Sequence, residues 1–106
     1  MDTRTHPPVD AMRAAAFHAG GLLKALANPD RLLLLCQLTQ GEQTVGALEA
    51  ALGIRQPSLS QQLGVLRQEG LVATRRDGKQ IHYSVASPEA LAVLQLLYQL
   101  YCPKED

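Results

Sequence analysis

Two cysteines carry the most reactive side chains of this 106-residue sequence. Cys36 lies inside RLLLLCQL, residues 31–38, and Cys102 stands near the end of LLYQLYCP, residues 96–103. A thiolate is a nucleophile and a soft metal ligand, and two thiols can be oxidised to a crosslink. The competing reading is inert, because free cysteine is a small apolar residue that commonly fills cores. Cys36, among leucines, fits that description. Cys102, at a helix end just before Pro103, fits it less well. A direct disulfide needs Cα atoms about 4.4–6.8 Å apart, so the fold must bring the pair together. Their separation along the chain fits a link within one subunit or between two. A thiol enzyme such as a peroxidase or sulfur transferase needs a base and an oxyanion nest beside the nucleophile. Neither accompanies Cys36 or Cys102, and no enzymatic activity is expected.

A second set of side chains suits nucleic acid. Gln56, Ser58, Ser60, Gln61 and Gln62 offer donors and acceptors without charge. Glutamine can bond adenine through two hydrogen bonds, and serine is permissive. Arg55, Arg75, Arg76 and Lys79 supply cations for phosphates or the minor groove beside them. Net charge is zero, but it is segregated. Residues 55–82 hold five positive and two negative side chains, net +3, and the remainder holds five and eight, net −3. A local basic patch is what phosphate contact requires. Singly, each of these residues could simply solvate a surface.

The elements that must position them are well punctuated. TVGALEAALGIRQPSLSQQLGVLRQEGLV, from Thr44, reads as helix, tight turn, helix. The first helix spans about Val45 to Leu52, and Gly53 suits the left-handed position after it. Pro57 opens the second helix, which stops at Gly70. Leu59, Leu63 and Leu66 form its inward stripe, with Ser58 and Gln61 opposite and Gln62 on the flank. LVATRRDGKQIHYSVA reads as a hairpin turning at Asp77-Gly78. Ile81, Tyr83 and Val85 alternate with Gln80, His82 and Ser84, giving one apolar and one polar face. A helix-turn-helix followed by a basic hairpin is a winged DNA-binding motif, whose second helix enters the major groove. Agreement of helix spacing, turn chemistry and charge favours that reading over mere solvation. Winged helices also bind proteins, so an interaction module remains the alternative from fold alone.

Upstream, NPDRLLLLCQLTQG has Asn28 as helix cap, Pro29 at the first helical position and Gly41 as the stop. Apolar nearly all round, it should be the central buried helix. From Asp10 to Leu26 apolar residues recur at helical spacing, interrupted by Gly20 and Gly21, which mark either close packing or a break. Ser87, Pro88 and Glu89 start the last helix. That helix carries two apolar stripes: Leu91, Leu94, Tyr98 and Tyr101, then Val93, Leu96, Leu97 and Leu100. One can cover the domain's own core. The other would be a costly exposed patch without a second subunit.

Length fits one domain, with residues 1–9 and 103–106 as tails around a folded unit at 10–102. The apolar fraction of 46% with no tryptophan and one phenylalanine implies an aliphatic core. The N-terminus lacks the pattern of a signal peptide, and no apolar run is long enough for a bilayer. A cytoplasmic setting is expected, in which the thiols are free by default. Nothing calls for a cofactor.

LANPDRLLLLCQL, the helix-turn-helix with its hairpin, and the last helix resemble the ArsR/SmtB family of bacterial winged-helix repressors over about residues 22–102. The resemblance implies a mainly α (α+β) winged helix-turn-helix of order α-α-α-α-β-β-α, homodimeric, that binds an inverted-repeat operator in double-stranded DNA and leaves it when an inducer arrives. Ser60-Gln61-Gln62-Leu63 replaces the Ser-x-His-Leu of many members. The thiolate motif Cys-x-Cys-x-x-Cys of metal-sensing relatives is missing, and His6, His18 and His82 are scattered. A metal site of both cysteines with His18 is the weaker alternative. A cysteine in the central helix and another ending the last helix resemble the BigR/SqrR/HlyU subgroup. That resemblance implies a redox-sensing pair, Cys36 and Cys102, answering to reactive sulfur species such as persulfide, or more generally to thiol oxidants.

Overall fold

The computed structural model describes residues 8–102, so residues 1–7 of the tail expected at 1–9, and the tail at 103–106, lie outside the described residues, while Pro8 stands at the cap position of the first helix and Val9 begins it. Among the described residues five helices and three strands follow in the order α1 (Val9–Leu26), α2 (Pro29–Leu38), β1 (Gln43–Thr44), α3 (Val45–Leu52), α4 (Ser58–Gln68), β2 (Val72–Asp77), β3 (Gln80–Val85) and α5 (Pro88–Tyr101). The helix starts are written in side chains. Asn28 Oδ1 accepts from Arg31 N, Thr44 Oγ1 from Ala47 N and Ser87 Oγ from Ala90 N. Each satisfies a donor that the helix leaves open at its N-terminus. Gly53 takes φ 72° and lets α3 turn sharply into α4. Gly20 and Gly21 do not break α1, which runs through them as one helix of 18 residues.

The core is aliphatic. Leu34, Leu35 and Leu38 of α2, Leu48 of α3, and Leu59, Leu63 and Leu66 of α4 are buried together. Ala25 and Leu26 close it from α1, Ala90 and Leu94 from α5. Each fully buried leucine contributes about 1.5–3 kcal/mol by leaving water. Tyr83 and Val85 of the sheet pack against its edge.

Four expectations need correction. The sheet has a third strand: β1 pairs antiparallel with β3, Gln43 opposite Tyr83 and Thr44 opposite His82, giving the order β1-β3-β2. With β3 in the middle, its residues from Ile81 to Val85 are all half-buried, so the alternation of faces is blurred. The hairpin turns at Gly78-Lys79, because Asp77 and Gln80 are paired in the ladder. Only part of α2 is buried, since Leu33 and Cys36 face outward.

The stripes of α5 also divide differently. Leu94 and Val93, one from each stripe, face the core. Leu96, Tyr98, Leu100 and Tyr101 are exposed, the last at 80%. Helix α5 docks through its N-terminal half, so position along the axis decides burial as much as angular phase. Helix α1 is its counterpart, with no buried residue before Ala25 and Phe17 78% exposed.

Candidate functional site

The turn from α3 into α4 presents the polar residues singled out above, but with different duties. Helix α4 buries Leu59, Leu63 and Leu66 and turns Ser60, Gln61, Gly64, Arg67 and Gln68 to solvent. This is one continuous outward stripe at helical spacing. Ser60 and Gln61 head it near the helix N-terminus, the end that meets base edges in a major groove. Arg67 and Gln68 continue it. Their places at i+7 from Ser60 and Gln61 were a readable signal that went unused.

Two of these residues are engaged by the protein itself, and a third is half-buried. Gln56 Oε1 accepts from Ser60 N at 3.0 Å and so caps α4, where Pro57 makes no side-chain cap. Ser58 is half-buried rather than opposite the inward stripe. Gln62 Oε1 accepts from Arg31 Nη1 of α2 at 2.8 Å. Ser60 and Gln61 are therefore the two of the five that are exposed on α4 itself.

The wing shows the same division. Arg75 donates from Nη2 to Glu42 Oε1 at 2.7 Å and from Nε to Glu42 Oε2 at 3.0 Å. His82, directly across the ladder from Arg75, places Nδ1 3.9 Å from Glu42 Oε1. The guanidinium beside it holds the Glu42 carboxyl below the usual carboxylate range, chiefly by hydrogen bonding. The same bond raises the pKa of Arg75. Arg76, the next residue, points to the other face of the hairpin. Arg55, Arg76 and Lys79 are exposed and make no ion pair among the described residues. Glu42 and Arg31 are the functional neighbours that sequence reading missed. They stand 33 and 31 positions from their partners, beyond any local spacing rule.

Both cysteines are exposed in the single chain, so Cys36 is not core filler. Cys36 sits in the last turn of α2, and Cys102 is the capping residue after α5, its N–H donating to the Tyr98 carbonyl at 3.0 Å. Burial raises the Cys36 pKa first, and the charge of Cys102 raises it further. That effect of Cys102 on Cys36 arises within one subunit. Among the described residues no three His, Cys, Asp or Glu side chains converge as metal ligands would. No helix there is long and apolar enough to cross a membrane.

Residues 28–74, from the cap of α2 through the turn and α4 into β2, match the family described as bacterial regulatory protein, arsR family. The biofilm growth-associated repressor of Agrobacterium fabrum is 52% identical over 99 residues, covering 93% of this chain and 85% of that one. The chain belongs to the arsR family. That is a family of transcription regulators, not of enzymes, and the thiol-enzyme alternative falls with it. Structural likeness agrees. The transcriptional repressor BigR from Xylella fastidiosa superposes with TM-score 0.83 at 45% identity, covering 92% of this chain and 100% of that one. Reduced HlyU from Vibrio cholerae gives TM-score 0.83 at 42% identity, covering 88% and 98%. The winged helix-turn-helix expected from the sequence is thus the fold of this arsR-family regulator.

Proposed function

We propose that this arsR-family chain is a homodimeric repressor that binds an inverted-repeat operator and leaves it when Cys36 and Cys102 are joined through sulfur. The DNA-reading part rests on the outward stripe of α4 flanked by Arg55, Arg76 and Lys79. Pairing about a two-fold axis through the exposed apolar parts of α1 and α5 would set two α4 helices about one DNA turn, roughly 34 Å, apart. Such faces are costly in water, and a second copy of the chain covers both at once. The relatives support the repressor assignment, since two carry that word in their names.

One observation carries the thiol switch: Cys36 in the last turn of α2 and Cys102 at the end of α5 are both exposed within one subunit, and the charge of Cys102 adds to the raised pKa of Cys36. A persulfide or polysulfide is the inducer class proposed. A cysteine thiolate attacks its sulfane sulfur, forming Cys–S–S⁻ and releasing the donor's thiol. When both cysteines carry this extra sulfur, the terminal sulfur of one attacks the inner sulfur of the other. The S–S bond to the outer sulfur breaks, hydrosulfide leaves with the electron pair, and a trisulfide remains. The donor's sulfane sulfur is the oxidant, so no other is needed. A link of this kind ties α2 to the end of α5 and biases the spacing of the two α4 helices. Couplings of this type are typically about 1–3 kcal/mol, roughly 5- to 150-fold in operator affinity. A general thiol-oxidant sensor would form a plain disulfide instead.

Intact mass and operator binding on the same samples test this. The expected product with a sulfane-sulfur donor gains one sulfur, loses two hydrogens and releases DNA. Loss of two hydrogens alone with peroxide, accompanied by release, would assign the general oxidant sensor. No crosslink, or a crosslink without release, would remove the switch.

A further inference from the structure

The guanidinium of Arg31 joins three helices. Arg31 belongs to the first turn of α2, yet each of its three nitrogens donates elsewhere. Nε donates to the Ala25 carbonyl at 2.6 Å and Nη2 to the Lys24 carbonyl at 3.3 Å. Nη1 donates to Gln62 Oε1 at 2.8 Å. The two carbonyls belong to the last turn of α1, where the helix leaves acceptors open and its dipole favours a cation. The amide belongs to the second turn of α4, next to Gln61. Arg31 and Gln62 are both half-buried, and no carboxylate pairs with Arg31 among the described residues. A planar fork fixes its acceptors in a way that a flexible ammonium does not.

We propose that Arg31 is a positioning residue for DNA recognition: by holding Gln62 against the end of α1, it sets the roll of α4 and hence the aim of Ser60 and Gln61. Gln62 is then the receiving end of the fork and not a reader of bases. The leucine stripe of α4 leaves some freedom of roll, because apolar packing is not directional. A directional bond on the flank removes it. This inference rests on α4 being the DNA-facing helix.

A double-mutant cycle on the full reduced chain tests it, with Arg31→Lys, Gln62→Met and the pair combined. The probe is a duplex selected from a random pool by the reduced wild-type protein. Each single substitution is expected to weaken binding roughly tenfold, the size of one charge-assisted hydrogen bond. The double variant should be no weaker than the weaker single, and all should select the same sequence. Additive losses, a changed base preference in Gln62→Met, or singles within about twofold of wild type, the scatter of an uninvolved surface residue, would overturn the proposal. Amide exchange provides a readout independent of DNA. Faster exchange across α4 in both singles, larger than any fall in thermal midpoint accounts for, is expected, and unchanged exchange in α4 would overturn the fork's role. If the wild type selects no duplex, the DNA-binding reading fails while the exchange result still decides the fork. Should Arg31→Lys not fold, Gln62→Met alone carries the exchange measurement with the same two outcomes.

Discussion

Arg75 and Glu42 form a two-point ion pair, with Nη2 to Oε1 at 2.7 Å and Nε to Oε2 at 3.0 Å. The pair ties the wing to the segment between α2 and β1, so one of the two adjacent wing arginines is engaged before any DNA arrives. Arg76 and Arg75 are neighbours in sequence with different tasks.

Glu42→Gln should free Arg75 for phosphate. Affinity for any duplex should rise at low salt, and the dependence on salt should steepen by about one unit, one added phosphate contact. Titrations over a salt series read both. Acid should weaken the pair as well. The carboxyl of Glu42 is held below its ordinary value of 4.5, so the pair contributes fully above that value and is lost as pH falls through the lowered one. The difference in thermal midpoint between wild type and Glu42→Gln should therefore vanish in strong acid and persist at neutral pH. Both groups are exposed, so the difference should be small.

Gln61→Ala and Arg76→Ala should fail in different ways. The first should cost about 1–3 kcal/mol on the preferred sequence and relax the choice at one base. The second should weaken all sequences alike and lower the salt slope by about one unit. Selection from a random pool followed by salt titration separates them. An unchanged base preference in Gln61→Ala would remove it from base reading.

Cys36→Ser and Cys102→Ser should each bind operator as wild type does and no longer release it with a sulfane-sulfur donor. In Cys102→Ser the remaining thiol, with its pKa raised by burial, should be slow to alkylate at neutral pH and speed up only in alkaline solution. A Cys36→Ser protein that still responds normally would sink the two-cysteine switch.

Leu23→Glu and Leu100→Glu should split the dimer. Both side chains are exposed in the single chain, at 58% and 64%. Each apolar contact occurs once per subunit, so losing it should cost about 3 kcal/mol or more in association. Light scattering should show monomers, and operator affinity should fall with them. Dimers of unchanged strength would place the two-fold contact elsewhere.

Local chemistry was readable in the sequence, and distance along the chain limited the rest. Asn28, Gly53 and Ser87 act within a turn of where they stand, and helix bounds at Pro29, Leu52 and Pro88 follow from them. The burial of Leu59, Leu63 and Leu66 follows from one helical period. Strand β1 has two residues and no periodicity, so only its pairing with β3 reveals it. The roles of Gln62 and Arg75 depend on Arg31 and Glu42, far away in sequence, and residue type alone pointed both toward DNA. The capping role of Gln56 was hidden for a subtler reason: Pro57 stands at the cap position of α4 and has no side chain that can cap, so the open amide of Ser60 draws in the side chain before the proline.

Helix α1 shows no buried residue from Val9 to Gly20. A helix left so bare by its own chain draws most of its stability from whatever covers it. If that cover is a second copy, the working species scales with the square of the amount of chain while protein is scarce. Halving the gene's output would then remove more than half of the operator-competent protein. Control of the target genes would acquire a threshold in gene dosage, set by the strength of pairing and independent of any inducer.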